Sequence, residues 1–159
     1  MRNQPTHSKI FTRQTLADRV KDWRRTGEQI VLANGSFDLL HVGHVRYLRG
    51  AKALGGKLVV AINSDASVRA LKGEGRPVMP EAERAEIVAA LADVDAVVIF
   101  PELDVRAIIR EIQPDIQAKA PTTPPTRFQS ATPWPSTEAA WRLWEIPKTT
   151  RPAKSFVRG

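Results

Sequence analysis

The sequence contains no cysteine in its 159 residues, which excludes a disulfide framework and a thiolate metal site. It has no apolar run near the roughly 20 residues that a membrane-spanning helix needs. The first ten residues are polar and lack the apolar core of a secretory signal peptide. These absences predict a cytoplasmic protein with no membrane partner, and the length predicts a single domain.

Acidic side chains are too few to balance the basic ones, and the formal net charge is +7. Residues 120–159 hold six basic side chains against two acidic ones, so more than half of the excess lies in this C-terminal segment. The segment lacks the spaced aromatic residues on a strand that an RNA-binding platform uses. We therefore expect no nucleic-acid partner, and the remaining excess is ordinary for a protein that handles phosphates.

Strand-like and helical patterns alternate along the middle of the chain. Buried strands are predicted at 29–34, 57–63, 94–100 and 115–118, with helices at 44–54, from 80 and at 104–112. Short connections between alternating strands and helices predict an α/β fold, a Rossmann-like doubly wound parallel sheet. Residues 1–28 are predicted to be a polar leader, frayed to about residue 11, followed by a helix that carries Leu16, Val20 and Trp23 and ends at Gly27.

Two of only three histidines lie in His41-Val42-Gly43-His44, between an apolar strand pattern and the start of a helix. Imidazoles at a helix N-terminus donate hydrogen bonds to phosphate oxygens, and the helix adds free N–H groups and partial positive charge. Gly43 keeps a side chain out of the path of the phosphates. Two unremarkable surface histidines are the alternative, but this location favours a site that holds a nucleoside triphosphate while its α-phosphate is attacked.

This segment and three others resemble the nucleotidyltransferases that carry a His-x-Gly-His motif. The matching segments are 34–44 (Asn-Gly-Ser-Phe-Asp-Leu-Leu-His-Val-Gly-His), 61–65 (Ala-Ile-Asn-Ser-Asp), 71–78 (Leu-Lys-Gly-Glu-Gly-Arg-Pro-Val) and 113–115 (Gln-Pro-Asp). Within that superfamily the chain is most similar to the D-glycero-β-D-manno-heptose 1-phosphate adenylyltransferases, the ADP-heptose synthases, and more distantly to glycerol-3-phosphate cytidylyltransferases. Ser36 stands where the family usually has cysteine.

The resemblance implies transfer of an adenylyl group from ATP to a sugar 1-phosphate, with Mg²⁺ accompanying ATP and held mainly by phosphate oxygens and water. Because the sugar phosphate itself attacks, no protein nucleophile and no protein-bound metal site are expected. The implied catalytic residues are His41, His44 and Lys72. The implied nucleotide-binding residues are Gly35, Ser36, Phe37, His41, Gly43 and His44, and the implied substrate-binding residues are Asp38, Asp65, Arg76 and Lys119. A homodimer is compatible with the resemblance.

Several of these residues also have a purely structural interpretation. Lys72 and Arg76 lie in a glycine-punctuated loop, which without the resemblance is typical of a solvated surface segment. Asp38 suits an Asx-turn as well as a contact with substrate hydroxyls, and Asp65 suits the cap of a turn.

Composition changes sharply after Lys119, where the likeness stops. Residues 120–159 hold seven of the twelve prolines and three of the four tryptophans, and no helical or strand period continues there. If one base were lost after the Lys119 codon, the last base of each codon with the first two of the next would permit Gly-Thr-Asp-Tyr, a segment that resembles the family's. We therefore expect a frame-shifted, poorly ordered segment that leaves the domain (29–119) without its last strand and helix, with an unpaired sheet edge.

Two other functions remain open at this point. The motif also fits a cytidylyltransferase of the glycerol-3-phosphate type. The altered C-terminal segment fits an inactive protein that still binds nucleotide, although intact His41 and His44 count against complete degeneration.

Overall fold

The computed structural model describes residues 6–119 and the two residues 144–145. Its strands are β1 (Ile10–Phe11), β2 (Ile30–Gly35), β3 (Lys57–Asn63), β4 (Ala96–Phe100), β5 (Ile116–Ala118) and β6 (Trp144–Glu145). Its α-helices are α1 (Arg13–Arg25), α2 (Val42–Ala53), α3 (Asp65–Lys72), α4 (Glu81–Ala89) and α5 (Arg106–Ile112), and a 3-10 helix spans Thr6–Lys9. Within these residues no helix is long and apolar enough to cross a membrane.

The strands form one sheet in the order β1-β4-β3-β2-β5-β6. The first five run parallel, and β2 pairs with β3 from Ile30↔Lys57 to Gly35↔Ile62. The central strands are apolar along nearly their whole length because helices cover both faces of the sheet. The predicted α/β architecture with a parallel sheet is confirmed.

Two apolar clusters show that the sheet is doubly wound. On one face α2 and α4 contribute buried side chains that include Leu48, Ala51 and Val88. On the other face α1 and α5 contribute residues that include Leu16 and Ile108. The fully buried Leu16 and Val20 lie about one helical turn apart on α1. This otherwise polar helix therefore packs against the sheet through one narrow apolar face.

The order of the strands decides where a ligand can enter. From β2 the chain moves outward to β3 and β4, and then α5 carries it back to β5 on the opposite side of β2. This reversal opens a crevice beyond the carboxyl ends of β2 and β5, the usual ligand position in such sheets. Asp115 fixes the junction, because its backbone N–H donates to the Ile30 carbonyl and its Oδ2 accepts from the Ile30 N–H, both at 2.9 Å.

The structure corrects the predicted frayed leader. Ile10 and Phe11 form a parallel edge strand opposite Val97 and Val98, and the Lys9 ammonium donates to the Leu91 carbonyl at 3.1 Å. Two apolar residues are too few to produce a period in the sequence. Their strand exists because β4 offers an edge to pair with, and each partner lies 87 positions further along the chain, as in Ile10↔Val97.

The expected unpaired edge beside β5 is also wrong at two positions. Ile116 pairs antiparallel with Glu145, and Gln117 pairs with Trp144. A bare strand edge presents unsatisfied N–H and C=O groups that a further backbone segment satisfies. The expected disorder and the frame-shifted origin of 120–159 otherwise lie outside the described residues.

Candidate functional site

His41 and His44 lie side by side at the start of α2, as their sequence position predicts. His41 is the N-cap residue, and its Nδ1 accepts from the Gly43 N–H at 3.1 Å. The His44 Nδ1 accepts from the His41 N–H at 3.3 Å, and the two ring centroids are 4.0 Å apart. Because both Nδ1 atoms accept, each neutral ring carries its proton on Nε2, which is the atom left to donate to a ligand.

Electrostatics around this pair favours an anion. Burial lowers the pKa of His44 below its usual 6.5, and repulsion by His41 and Lys72 lowers it further. His44 is therefore neutral at pH 7 in the free protein. Two imidazoles, a lysine and the N-terminus of a 12-residue helix converge here, so the site offers a phosphate group both hydrogen-bond donors and positive charge.

Gly43 owes its identity to the His41 ring. A Cβ at this position would lie 2.8 Å from the His41 Cε1 and 2.9 Å from its Nδ1, closer than real contacts allow. The sequence analysis assigned Gly43 to the passage of phosphates. The structure adds a reason that needs no ligand: only glycine leaves the cap geometry of His41 intact.

The segment between β2 and α2 begins with a sharp turn at Phe37. Phe37 has a φ of 47°, which is uncommon for a residue other than glycine. Its ring is buried, and the ring centroid lies 5.2 Å from that of His44. A Cβ on Gly35 would lie 3.2 Å from the Phe37 ring, so Gly35 gives this ring its space. The turn places the backbone of Ser36 and Phe37 beside the histidine pair.

Lys72 reaches the same turn from α3. Its ammonium lies 2.6 Å from the Ser36 hydroxyl, and Gly73, with a φ of 90°, ends the helix immediately after it. The sequence associated Lys72 with the site through the family resemblance alone. The fold supplies the physical basis, because α3 follows β3, the neighbour of β2 in the sheet.

Asp38 is almost fully buried and has three partners within the chain. Its Oδ2 accepts from Arg76 at 2.9 Å, and its Oδ1 accepts from the backbone N–H groups of Val78 at 2.7 Å and Met79 at 3.0 Å. Burial alone would raise the pKa of this carboxyl, but the hydrogen bonds from Met79, Arg76 and Val78 outweigh burial and lower it. Contact of Asp38 and Arg76 with a substrate stays a prediction.

Arg84 is a site residue that the sequence analysis missed. Its side chain is buried in α4, yet it donates to the carbonyls of Ser36, Asn63 at 2.9 Å and Met79 at 3.0 Å, and to Asp65 Oδ1 at 2.6 Å. The Asp65 N–H in turn donates to Glu81 at 2.6 Å. One signal was available: Arg84 falls on the face of its helix that Ala85 and Val88 bury.

Lys119 follows β5 directly and is exposed at the same edge of the sheet. Ala118, its neighbour, pairs with Ala33 of β2 and accepts a hydrogen bond from the buried Tyr47 hydroxyl at 2.8 Å. Burial raises the pKa of Tyr47 to about 12. The structure thus places Lys119 at the carboxyl end of β5, the neighbour of β2, which leads into Ser36.

Comparison with known proteins assigns the family. The model of the cytidylyltransferase-like family matches residues 32–131. This chain belongs to that family. The matched range contains every candidate site residue from Gly35 to Lys119, and the resemblance drawn from the four motif segments is confirmed at this level.

Individual relatives agree with the family. The bifunctional protein HldE of Koribacter versatilis is 53% identical over 112 residues, and that of Methylobacillus flagellatus is 50% identical over 111 residues. Each match covers 70% of this chain but only 23% of the relative, so the chain spans about a quarter of their length. The crystal structure of a lipopolysaccharide core biosynthesis protein from Thermoplasma volcanium is 34% identical with a TM-score of 0.53, covering 57% of this chain and 72% of that one.

Proposed function

We propose that this cytidylyltransferase-like domain transfers an adenylyl group from ATP to D-glycero-β-D-manno-heptose 1-phosphate and releases pyrophosphate. The observation that carries the proposal is the convergence of His41, His44 and Lys72 on the Ser36 turn at the N-terminus of α2. This cluster offers hydrogen-bond donors and positive charge at the crevice where such sheets bind ligands.

The reaction needs positioning and charge neutralisation rather than a protein nucleophile. A phosphate oxygen of the sugar attacks the α-phosphorus of ATP, a new P–O bond forms, and the bond to the pyrophosphate oxygen breaks with its electron pair leaving on pyrophosphate. The Nε2–H groups of His41 and His44 donate to the oxygens around the α-phosphorus. Lys72 turns from Ser36 to the phosphates and offsets the charge that develops there.

Mg²⁺ is proposed to enter as part of the substrate, bound to ATP. The carboxylates nearest the turn, Asp38 and Asp65, are engaged by Arg76 and Arg84. The ion would therefore be held mainly by phosphate oxygens and water, as is common for Mg²⁺ with nucleotides.

The sugar phosphate is proposed to bind beside Arg76 and Lys119. Arg76 is the more exposed partner of its ion pair with Asp38, with 46% of its side chain accessible. Its guanidinium therefore has donors to spare for a second anion. Lys119 approaches from β5, on the other side of β2.

The choice of sugar and nucleotide is supported by the motif segments and by the HldE relatives. The cytidylyltransferase-like description of the family supports the second candidate, transfer from CTP to glycerol 3-phosphate. Both reactions would use the same histidine pair. The two candidates therefore differ only in the nucleotide and in the phosphate compound that accepts the nucleotidyl group.

Pyrophosphate release from four substrate pairs separates these candidates. The purified chain is incubated with ATP or CTP and with heptose 1-phosphate or glycerol 3-phosphate, each with Mg²⁺. We expect release with ATP and heptose 1-phosphate above all other pairs. Release only with CTP and glycerol 3-phosphate would refute the adenylyl assignment, and ATP binding without release would identify a nucleotide-binding remnant.

A further inference from the structure

We propose that Asp38 and Arg84 form a clamp that holds the loop 73–80 against the Ser36–Asp38 turn and thereby sets the position of Lys72. They would act as positioning residues of the site, and for Asp38 this role replaces the substrate contact that the family resemblance implies. The inference rests on the proposed function for its kinetic part, while its structural part is tested independently.

The two halves of the clamp meet at Met79. The Met79 N–H donates to Asp38 Oδ1 at 3.0 Å, and the Met79 carbonyl accepts from Arg84 Nε at 3.0 Å. The backbone N–H of Met79 is therefore bonded to a negative side chain, and its backbone carbonyl to a positive one. Arg84 also donates to the Ser36 carbonyl, so a single guanidinium joins the loop to the end of β2.

Because both side chains are buried, the hydrogen bonds of the clamp are expected to form or break together. Arg84 is 1% exposed and Asp38 is 5% exposed. A charge at such a depth is unfavourable unless its hydrogen-bonding capacity is satisfied, and removing one partner leaves the other uncompensated. Arg84 donates to four acceptors in three segments: the Ser36 turn, the β3–α3 junction and the loop at Met79. A loop that moved away would leave the guanidinium with buried, unmade hydrogen bonds.

Lys72 is the group whose position the clamp controls. It is the last residue of α3, and the loop that follows it passes to Met79 and Pro80 before α4 begins. At the start of this segment the Lys72 ammonium lies 2.6 Å from the Ser36 hydroxyl. At its end Arg84 donates both to the Met79 carbonyl and to the Ser36 carbonyl. If the clamp opens, Lys72 and the turn lose their fixed separation, and a misplacement near 1 Å costs about a hundredfold in rate.

A double-mutant cycle tests this control. Asp38→Asn and Arg84→Lys are each measured alone and combined with Lys72→Ala. We expect each single variant to lower kcat/KM about 10- to 100-fold, mainly through kcat, and to have less than about a twofold further effect when Lys72 is absent. Full additivity of either variant with Lys72→Ala would overturn the proposal, and for Asp38 it would indicate direct contact with substrate instead.

Hydrogen exchange of the free protein tests the clamp without activity. Arg84→Lys alters the bond to the Met79 carbonyl but removes no acceptor of the Val78 and Met79 amides, which bond to Asp38. We expect these two amides to exchange at least tenfold faster in Arg84→Lys, and unchanged exchange would overturn the coupling between the two halves.

Lys52→Met is the matched control for both experiments. Lys52 is a partly buried cation bonded to Asp95 and to the Gly56 carbonyl, at the amino ends of the strands. We expect it to leave loop exchange and kcat/KM unchanged. If wild-type protein releases no pyrophosphate while Arg84→Lys still speeds exchange, the proposed function fails and the clamp stands. If Lys52→Met speeds exchange of the loop amides as much as Arg84→Lys does, the clamp is refuted.

Discussion

At the scale of single residues, His44 takes part in a helix cap and also has a lowered pKa. Its Nδ1 completes a reciprocal cap with His41, and burial together with nearby cationic groups lowers its pKa. The cap is made of hydrogen bonds longer than 3.0 Å on a partly exposed ring. It therefore adds little stability, while the same ring faces the place where phosphate is proposed to bind.

His44→Ala is accordingly expected to affect turnover much more than stability. Loss of one donor to a developing charge costs about 10²- to 10³-fold in kcat, whereas a capping contact is worth about 1 kcal/mol. Pyrophosphate release and thermal unfolding of the same preparation give both quantities. A large fall in Tm with near-normal specific activity would instead assign His44 a structural role.

Nucleotide binding is expected to take up protons through His44. In the free protein the pKa of His44 lies below 6.5, and bound triphosphate favours the charged imidazolium, so the bound pKa is higher. The added proton occupies Nδ1 and releases the 3.3 Å hydrogen bond from the His41 N–H. Between these two pKa values the complex binds more protons than the free protein, and affinity for MgATP rises as pH falls through that window. Calorimetric titration in buffers of different ionisation enthalpy measures the uptake, which should be smaller in His44→Gln.

At the scale of elements, Tyr47 links α2 to β5 and so joins the two sides of the crevice. Its buried hydroxyl donates to the Ala118 carbonyl at 2.8 Å, next to the pairing of Ala118 with Ala33. It is the only tyrosine in the sequence. Its ionisation is therefore visible by ultraviolet absorbance without interference from a second phenol.

Alkaline pH is expected to weaken the fold through Tyr47. The folded pKa is about 12 against 10 in the unfolded chain, so the unfolded state loses its proton first as pH rises. The contribution of Tyr47 is complete below pH 10 and is lost as pH rises from 10 towards 12, by roughly 2–3 kcal/mol at most. Urea unfolding at pH 9 and 11.5 measures this loss, and an equally steep loss in Tyr47→Phe would exclude Tyr47 as its source.

At the scale of the whole molecule, the sheet depends on pairings between distant parts of the chain. β1 adds the N-terminal residues beside β4, and β6 adds residues 144–145 beside β5. The family match extends to residue 131, so the expectation that the likeness stops at Lys119 is wrong at the level of the family.

The gene is expected to show a one-base shift after the Lys119 codon. Read in the alternative frame, the nucleotide sequence should encode Gly-Thr-Asp-Tyr there. A protein expressed in the restored frame should unfold at a higher temperature and turn over faster. Stop codons early in the alternative frame, or a restored protein that is no more stable, would contradict this prediction.

The sequence by itself determined the main strands, most helices and the histidine pair, because each depends on local patterning. A buried parallel strand must be apolar along its length, and a helix N-terminus shows itself within a few residues. The structure shifts these bounds by one or two residues, as with α2, which begins at Val42 rather than His44. Lys72 was reached only through family resemblance, since no local pattern distinguishes it from a solvated lysine.

Tertiary structure alone decided which side chains meet. The edge strand at Ile10 and Phe11, the contact of Lys72 with Ser36, and the buried position of Arg84 all join residues that are tens of positions apart. Such contacts follow from the strand order, which sets β3 and α3 beside the end of β2, and a one-dimensional pattern does not contain that order. Arg84 illustrates the limit: its sequence position predicts an apolar residue, and only the four acceptors that the fold brings around it make a buried guanidinium stable there.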